Sequence, residues 1–180
     1  MNSDEFKNVL SHLAHDSNVE KAERFNRLII LLRNYLAKVF TLETYEVSLF
    51  MKDERDFVEF LLPEKMRRVS NIFPLRKSKV TRRVFTRGIP VLSNAAAEVD
   101  RFDTYERYRD TPKASLPIQK FMALPIIHED STFGALWINR RAKTMDQAGA
   151  DFNEQDQQTA MEILSIAAPF LYALKPDKYC

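Results

Sequence analysis

The order of elements readable in this chain predicts an α+β fold: a single domain on one central antiparallel sheet of about five to six strands, with terminal helices on one face and helical excursions on the other. Three observations lead there. Gln119 to Arg141 contains two apolar runs of strand length around a polar break, His128-Glu129-Asp130-Ser131. Phe121 to Ile127 is continuously apolar and Phe133 to Ile138 is apolar on both alternating sets, so both strands should be covered on both faces, as in the middle of a sheet. Upstream, Ala22, Phe25, Leu28, Ile29, Leu32, Tyr35, Leu36 and Val39 recur every three or four residues, and downstream Met161, Ile163, Leu164, Ile166, Ala167, Phe170 and Leu171 mark a closing helix.

Taken in order, Asp4 to His15 should be a short helix with Phe6, Val9, Leu10 and Leu13 on one face, making residues 1–18 an N-terminal helical extension. Ser17 and Glu20 have capping-box spacing for the long helix. That helix should run to about Phe40, with an apolar stripe wide enough to pack on a sheet and leave a seam for another helix. Thr44 to Met51 and Asp56 to Leu62 read as two strands around a charged turn. Residues 63–75 should be irregular, ending in the short apolar piece Ile72-Phe73-Pro74-Leu75. Ser78 to Arg87 should be a short helix with Val80, Val84 and Phe85 inward, stopped by Gly88. Ile89 to Leu92 should be a strand, at an edge or a strand start because Pro90 cannot donate a hydrogen bond. Ala95 to Leu116, with Phe102, Tyr105 and Tyr108 at helical spacing, should cross one sheet face as a helix-containing excursion. Asn153 should cap the last helix, and Pro169 should kink that helix or end its regular hydrogen bonding.

The chain has 180 residues, 45% of them hydrophobic, enough for one buried core. A net charge of +2 gives no global basic signal for nucleic acid. The single cysteine, Cys180, excludes an intramolecular disulfide and any zinc site with more than one cysteine ligand, and fits a reducing cytoplasm. The acidic start does not resemble a signal peptide, and no apolar run approaches the length of a membrane span. The expectation is a cytoplasmic module without membrane insertion. There is no Gly-rich phosphate loop, no Gly-x-Ser-x-Gly and no spaced pair of catalytic carboxylates, so neither an enzyme nor a resident cofactor is expected. His12 and His15 beside Asp16 have metal-ligand spacing, but on a short exposed helix solvation is their expected state.

Four pieces in this order carry a family resemblance. They are Arg83-Val84-Phe85-Thr86-Arg87-Gly88-Ile89-Pro90-Val91-Leu92-Ser93-Asn94, Phe121-Met122-Ala123-Leu124-Pro125-Ile126, Thr132-Phe133-Gly134-Ala135-Leu136-Trp137-Ile138-Asn139 and Asp151-Phe152-Asn153-Glu154-Gln155-Asp156. Together they resemble the GAF domain, the small-molecule-sensing module of signalling proteins, over roughly residues 20–174. The resemblance implies a domain over 19–175, with a first helix over 19–41 and a last over 152–174. Residues 176–180 would be a tail leading into an output domain of a longer protein. Arg76-Lys77-Ser78 stands where many members have Gly-x-Gly.

The resemblance places a pocket between the sheet and segments 63–88 and 95–118. Its candidate lining is Ser48, Phe50, Leu62, Val80, Thr81, Tyr105, Tyr108, Ile118, Phe121 and Leu136, mostly apolar. That suits a small apolar or aromatic ligand, or a pocket closed by its own side chains. Asn139-Arg140, then Phe152 and Asp156, fit the Asn-Lys…Phe-x-x-x-Asp-Glu signature of cyclic-nucleotide binders with Arg for Lys and Gln157 for Glu. An Arg140–Asp156 pair bracing the intervening loop is the structural reading of the same residues. Leu136, expected where a purine binder wants an acid, argues against a nucleotide. The absence of a pocket cysteine excludes covalent bilin attachment and the family's methionine-sulfoxide-reductase chemistry. Lys65 to Arg87 holds nine basic residues and no acidic one. Lys77 and Lys79 at a helix start are candidate anion contacts, against a solvated face balanced by the acids of residues 98–110. The rival to sensing is a dimerisation module: two copies would join through their first and last helices.

Overall fold

In the computed structural model, which describes residues 2–64, 72–96 and 116–179, the hairpin sits at the centre of the sheet. The strands are β1 (Val47–Lys52), β2 (Phe57–Leu62), β3 (Ile72–Pro74), β4 (Val91–Ser93), β5 (Ile118–His128) and β6 (Ser131–Arg141). They lie in the order β3-β2-β1-β6-β5-β4, with every neighbouring pair antiparallel. The helices are α1 (Ser3–His15), α2 (Lys21–Val39), α3 (Lys79–Arg87) and α4 (Glu154–Leu174). β4 is an edge strand, which tolerates the Pro90 before it. The piece expected to be irregular at Ile72–Pro74 pairs with β2 as the other edge. Thr44 to Glu46 form a 3-10 turn rather than the start of β1.

Helices α2 and α4 cover one face of the sheet, and α1 packs on both of them. Phe25, Leu28, Ile29, Leu32 and Leu36 of α2 and Ile163, Leu164, Ala167 and Leu171 of α4 form one buried cluster with Val47, Leu49, Met51, Met122, Leu124, Ile126 and Ile138 of the sheet. α1 belongs to the same core. Its Phe6 and Leu10 are fully buried, and the Phe6 ring stacks on Tyr35 at 4.2 Å. The seam expected to stay open on α2 is therefore partly filled from within the chain. The α1 C-terminus is tied to α2 by Arg24, whose Nη1 donates to Ala14 O at 2.6 Å.

Helix ends follow local chemistry. Gly88 takes φ +60° and its N–H closes α3 on Val84 O at 3.0 Å, a left-handed geometry that a side chain would disfavour. Asn153 caps α4, with Asp156 completing the reciprocal capping box. The Ser17–Glu20 capping box does not form: α2 starts after Glu20, with no side-chain cap. α4 continues through Pro169 to Leu174, because its apolar face is anchored on the sheet on either side of the lost hydrogen bond.

Candidate functional site

The opposite face of the sheet carries α3 and a different kind of core. β1 sends Val47, Leu49 and Met51 to the terminal helices, which leaves Ser48 and Phe50 on the α3 side. Register then sets the neighbours: Ser48 stands opposite Trp137 and Phe50 opposite Ala135. Phe60 comes from β2, Ile118, Phe121 and Ala123 from β5, and Val80, Val84 and Phe85 from α3. Four aromatic rings make the floor. Phe50 lies 4.4 Å from Phe60 and 5.7 Å from Trp137, and Trp137 stacks on Phe121 at 5.5 Å with 10° between planes. Ser48 and Thr81 are the buried hydroxyls beside this floor, at 0% and 1% exposure.

Of the residues expected to line a pocket, Ser48, Phe50, Val80, Thr81, Ile118 and Phe121 come together here. Leu62 and Leu136 do not; both join the terminal-helix core. Trp137, which alternation with a pocket-facing Leu136 would turn toward those helices, faces α3 instead. The cause is parity. β6 is buried on both faces, so hydrophobicity cannot say which alternate set points where. Bulges then shift the register. One in β1/β2 lets both Leu61 and Leu62 reach the helix core, and another near Ile126/Ile127 turns Phe133 back toward Tyr172. The argument against a purine from Leu136 loses its basis, since Ala135 and Trp137 are the β6 residues on this face. Phe60, Ala123, Ala135 and Trp137 were not foreseen as floor residues. The only signal for Trp137 is its cross-strand position opposite Ser48. Tyr105 and Tyr108 lie outside the described residues, as does the Lys77 side chain. Lys79 is exposed in the first turn of α3.

Polar contacts at the far end of β6 fix the segment between it and α4. The expected Arg140–Asp156 pair is not what holds it. Asp156 is occupied at the start of α4, accepting from Asn153 N at 3.0 Å, while the Arg140 guanidinium lies over the Phe152 ring at 4.8 Å. Two residues that sequence reasoning missed contribute as much. Lys120, only 5% exposed, donates to Gly149 O and pairs with Asp151, both at 2.7 Å. Asn94 makes a two-way contact with the Phe152 backbone, both bonds 2.9 Å. Asn139 donates to Glu46 O at 2.9 Å, and the buried Glu46 carboxylate accepts from the N–H groups of Arg141 and Glu43. Burial pushes the Glu46 carboxyl above its ordinary pKa, and these hydrogen bonds, with Arg140 and Arg141 nearby, offset only part of that.

No protein-family model and no curated protein matches the chain. Solved structures do. A GAF domain/HD domain protein from Geobacter sulfurreducens superposes with a TM-score of 0.63 at 15% identity, covering 92% of this chain and 97% of that one. The GAF domain of an Acinetobacter phosphoenolpyruvate-protein phosphotransferase gives 0.60 at 17% identity, covering 94% and 91%. A type II free methionine-R-sulfoxide reductase from Thermoplasma acidophilum gives 0.61 at 13% identity, covering 86% and 97%. At such identities the likeness is one of fold, and the chain has the GAF fold.

Proposed function

We propose that this is a regulatory domain that senses a small molecule on the α3 face of its sheet, with no catalytic activity of its own. The observation that carries the reading is the aromatic floor of Phe50, Phe60, Phe121 and Trp137, placed opposite the terminal helices in a GAF fold. The rings are 1–3% exposed, so a flat apolar or aromatic ligand would reach them by displacing part of their cover. Ser48 opposite Trp137 and Thr81 of α3 are the buried hydroxyls on that side. Binding that favours one arrangement of the α3 side would be passed through the sheet to α2 and α4, and from them to a partner domain. Reductases share the fold, but thiol-based reduction needs a thiolate at the pocket, and this chain's one cysteine is its last residue. The dimerisation reading has less surface to use than the stripe on α2 suggested, because α1 covers part of it.

Thermal-shift screening with apolar, aromatic and nucleotide panels tests sensing. The expected result is a concentration-dependent rise in Tm with at least one flat apolar or aromatic compound, lost or reduced in Ser48→Leu. No rise with any compound contradicts it.

A further inference from the structure

At the β3 edge, Phe57, Pro74 and Leu75 floor an open cleft of about 470 Å³ rimmed by Arg55, Arg76 and Arg82. Leu75 is buried in the same cluster as the aromatic floor, while Phe57, Pro74 and the rim arginines lie outside it. Two charges at the rim are neutralised within the chain. Arg55 is held by Asp53, with contacts of 2.9 and 3.2 Å to one carboxylate oxygen, and lies over the Phe57 ring. Asp56, the acid lining the cleft, is taken by Lys52 at 3.0 Å. Arg76 and Arg82 are exposed, and among the described residues their side chains make no hydrogen bond or ion pair. Arg24, Arg27, Arg33 and Arg141, by contrast, each donate to a carbonyl or side chain. The local cause is the sequence of α3, which offers Lys79, Arg82, Arg83 and Arg87 and no acid at i±4.

Unpaired guanidinium groups beside an apolar floor fit a partner that brings carboxylates and one apolar side chain together. We propose that this cleft docks an acidic peptide segment of a partner protein, seated by a Leu, Phe or Trp on the half-buried Phe57 and Pro74. Charge complementarity selects that occupant. A nucleic acid would need a platform of several rings for successive bases, and Phe57 is the one aromatic residue lining the cleft.

Panning a phage-displayed random peptide library on the whole protein, followed by fluorescence anisotropy with the enriched peptides, tests the proposal. The enriched peptides should be rich in Glu and Asp around an apolar residue, and their binding should weaken with salt. Affinity should fall about tenfold or more in Arg76→Glu/Arg82→Glu, less in Arg76→Gln/Arg82→Gln, and not at all in Lys38→Glu on α2. The glutamine variant carries the test if the glutamate variant does not fold. The proposal is overturned by no enrichment, by enriched peptides lacking acids, or by binding that survives both double variants. A DNA duplex that binds more tightly and displaces the peptides overturns it too.

Discussion

The two faces of the sheet are buried by different means. On one face, the long helices α2 and α4 lay a mainly aliphatic surface on Leu49, Met122, Leu124 and Leu136, with α1 packed on both helices. On the other, the described cover is the nine-residue helix α3, packed over four aromatic rings of the sheet. Aliphatic residues interdigitated between long helices make a core that a guest molecule cannot enter without large repacking. Flat rings under a short helix, here 1–3% exposed, can be reached by another flat group if that one cover shifts. On the proposed reading stability belongs to the first face and response to the second, and substitutions on each side should separate the two roles.

The largest effect belongs to α1. Phe6→Ala removes a fully buried ring stacked on Tyr35, and urea unfolding should show a loss of about 3–5 kcal/mol. A loss under about 1 kcal/mol would make α1 an appendage. Next, Leu136→Ala should cost about 2–5 kcal/mol in the same assay while leaving ligand-induced shifts in Tm in place. If it abolished those shifts at modest cost in stability, the assignment of faces would be reversed. Gly134→Ala should cost about 1–3 kcal/mol, because a Cβ there would meet Phe50 O and the Ile126 side chain at 3.2 Å. The smallest effect is a pH slope. Glu46 binds its proton more tightly folded than unfolded, so its contribution is fully present below the ordinary value of 4.5 and is lost as pH rises through the higher folded value. Urea midpoints across that rise should fall more steeply in the unmodified protein than in Glu46→Gln, and equal slopes would contradict the burial of this carboxyl.

Much of the scaffold was legible because local and global signals agree. The periodicity of α2 and α4, the Gly88 stop, the Asn153 cap and the polar break between β5 and β6 each have a short-range cause, and each is found where the residues put it. The site was less legible for a physical reason. Facing in a doubly covered strand depends on register, and bulges that no residue pattern announces decide it for Leu62, Phe133 and Trp137. The brace was misread because a carboxylate at a helix start has two competing uses. Asp156 serves its own cap, and Lys120, which looks like an ordinary strand lysine, does the tying instead.

Trp137 is the only tryptophan of the chain and sits on the α3 face, stacked on Phe121. Its fluorescence therefore reads that face alone. The most direct measurement is a titration of Trp137 emission with a compound that raises Tm. Sensing at the aromatic floor predicts a saturable change in emission that tracks the rise in Tm. A compound that raises Tm while Trp137 emission stays constant would contradict it.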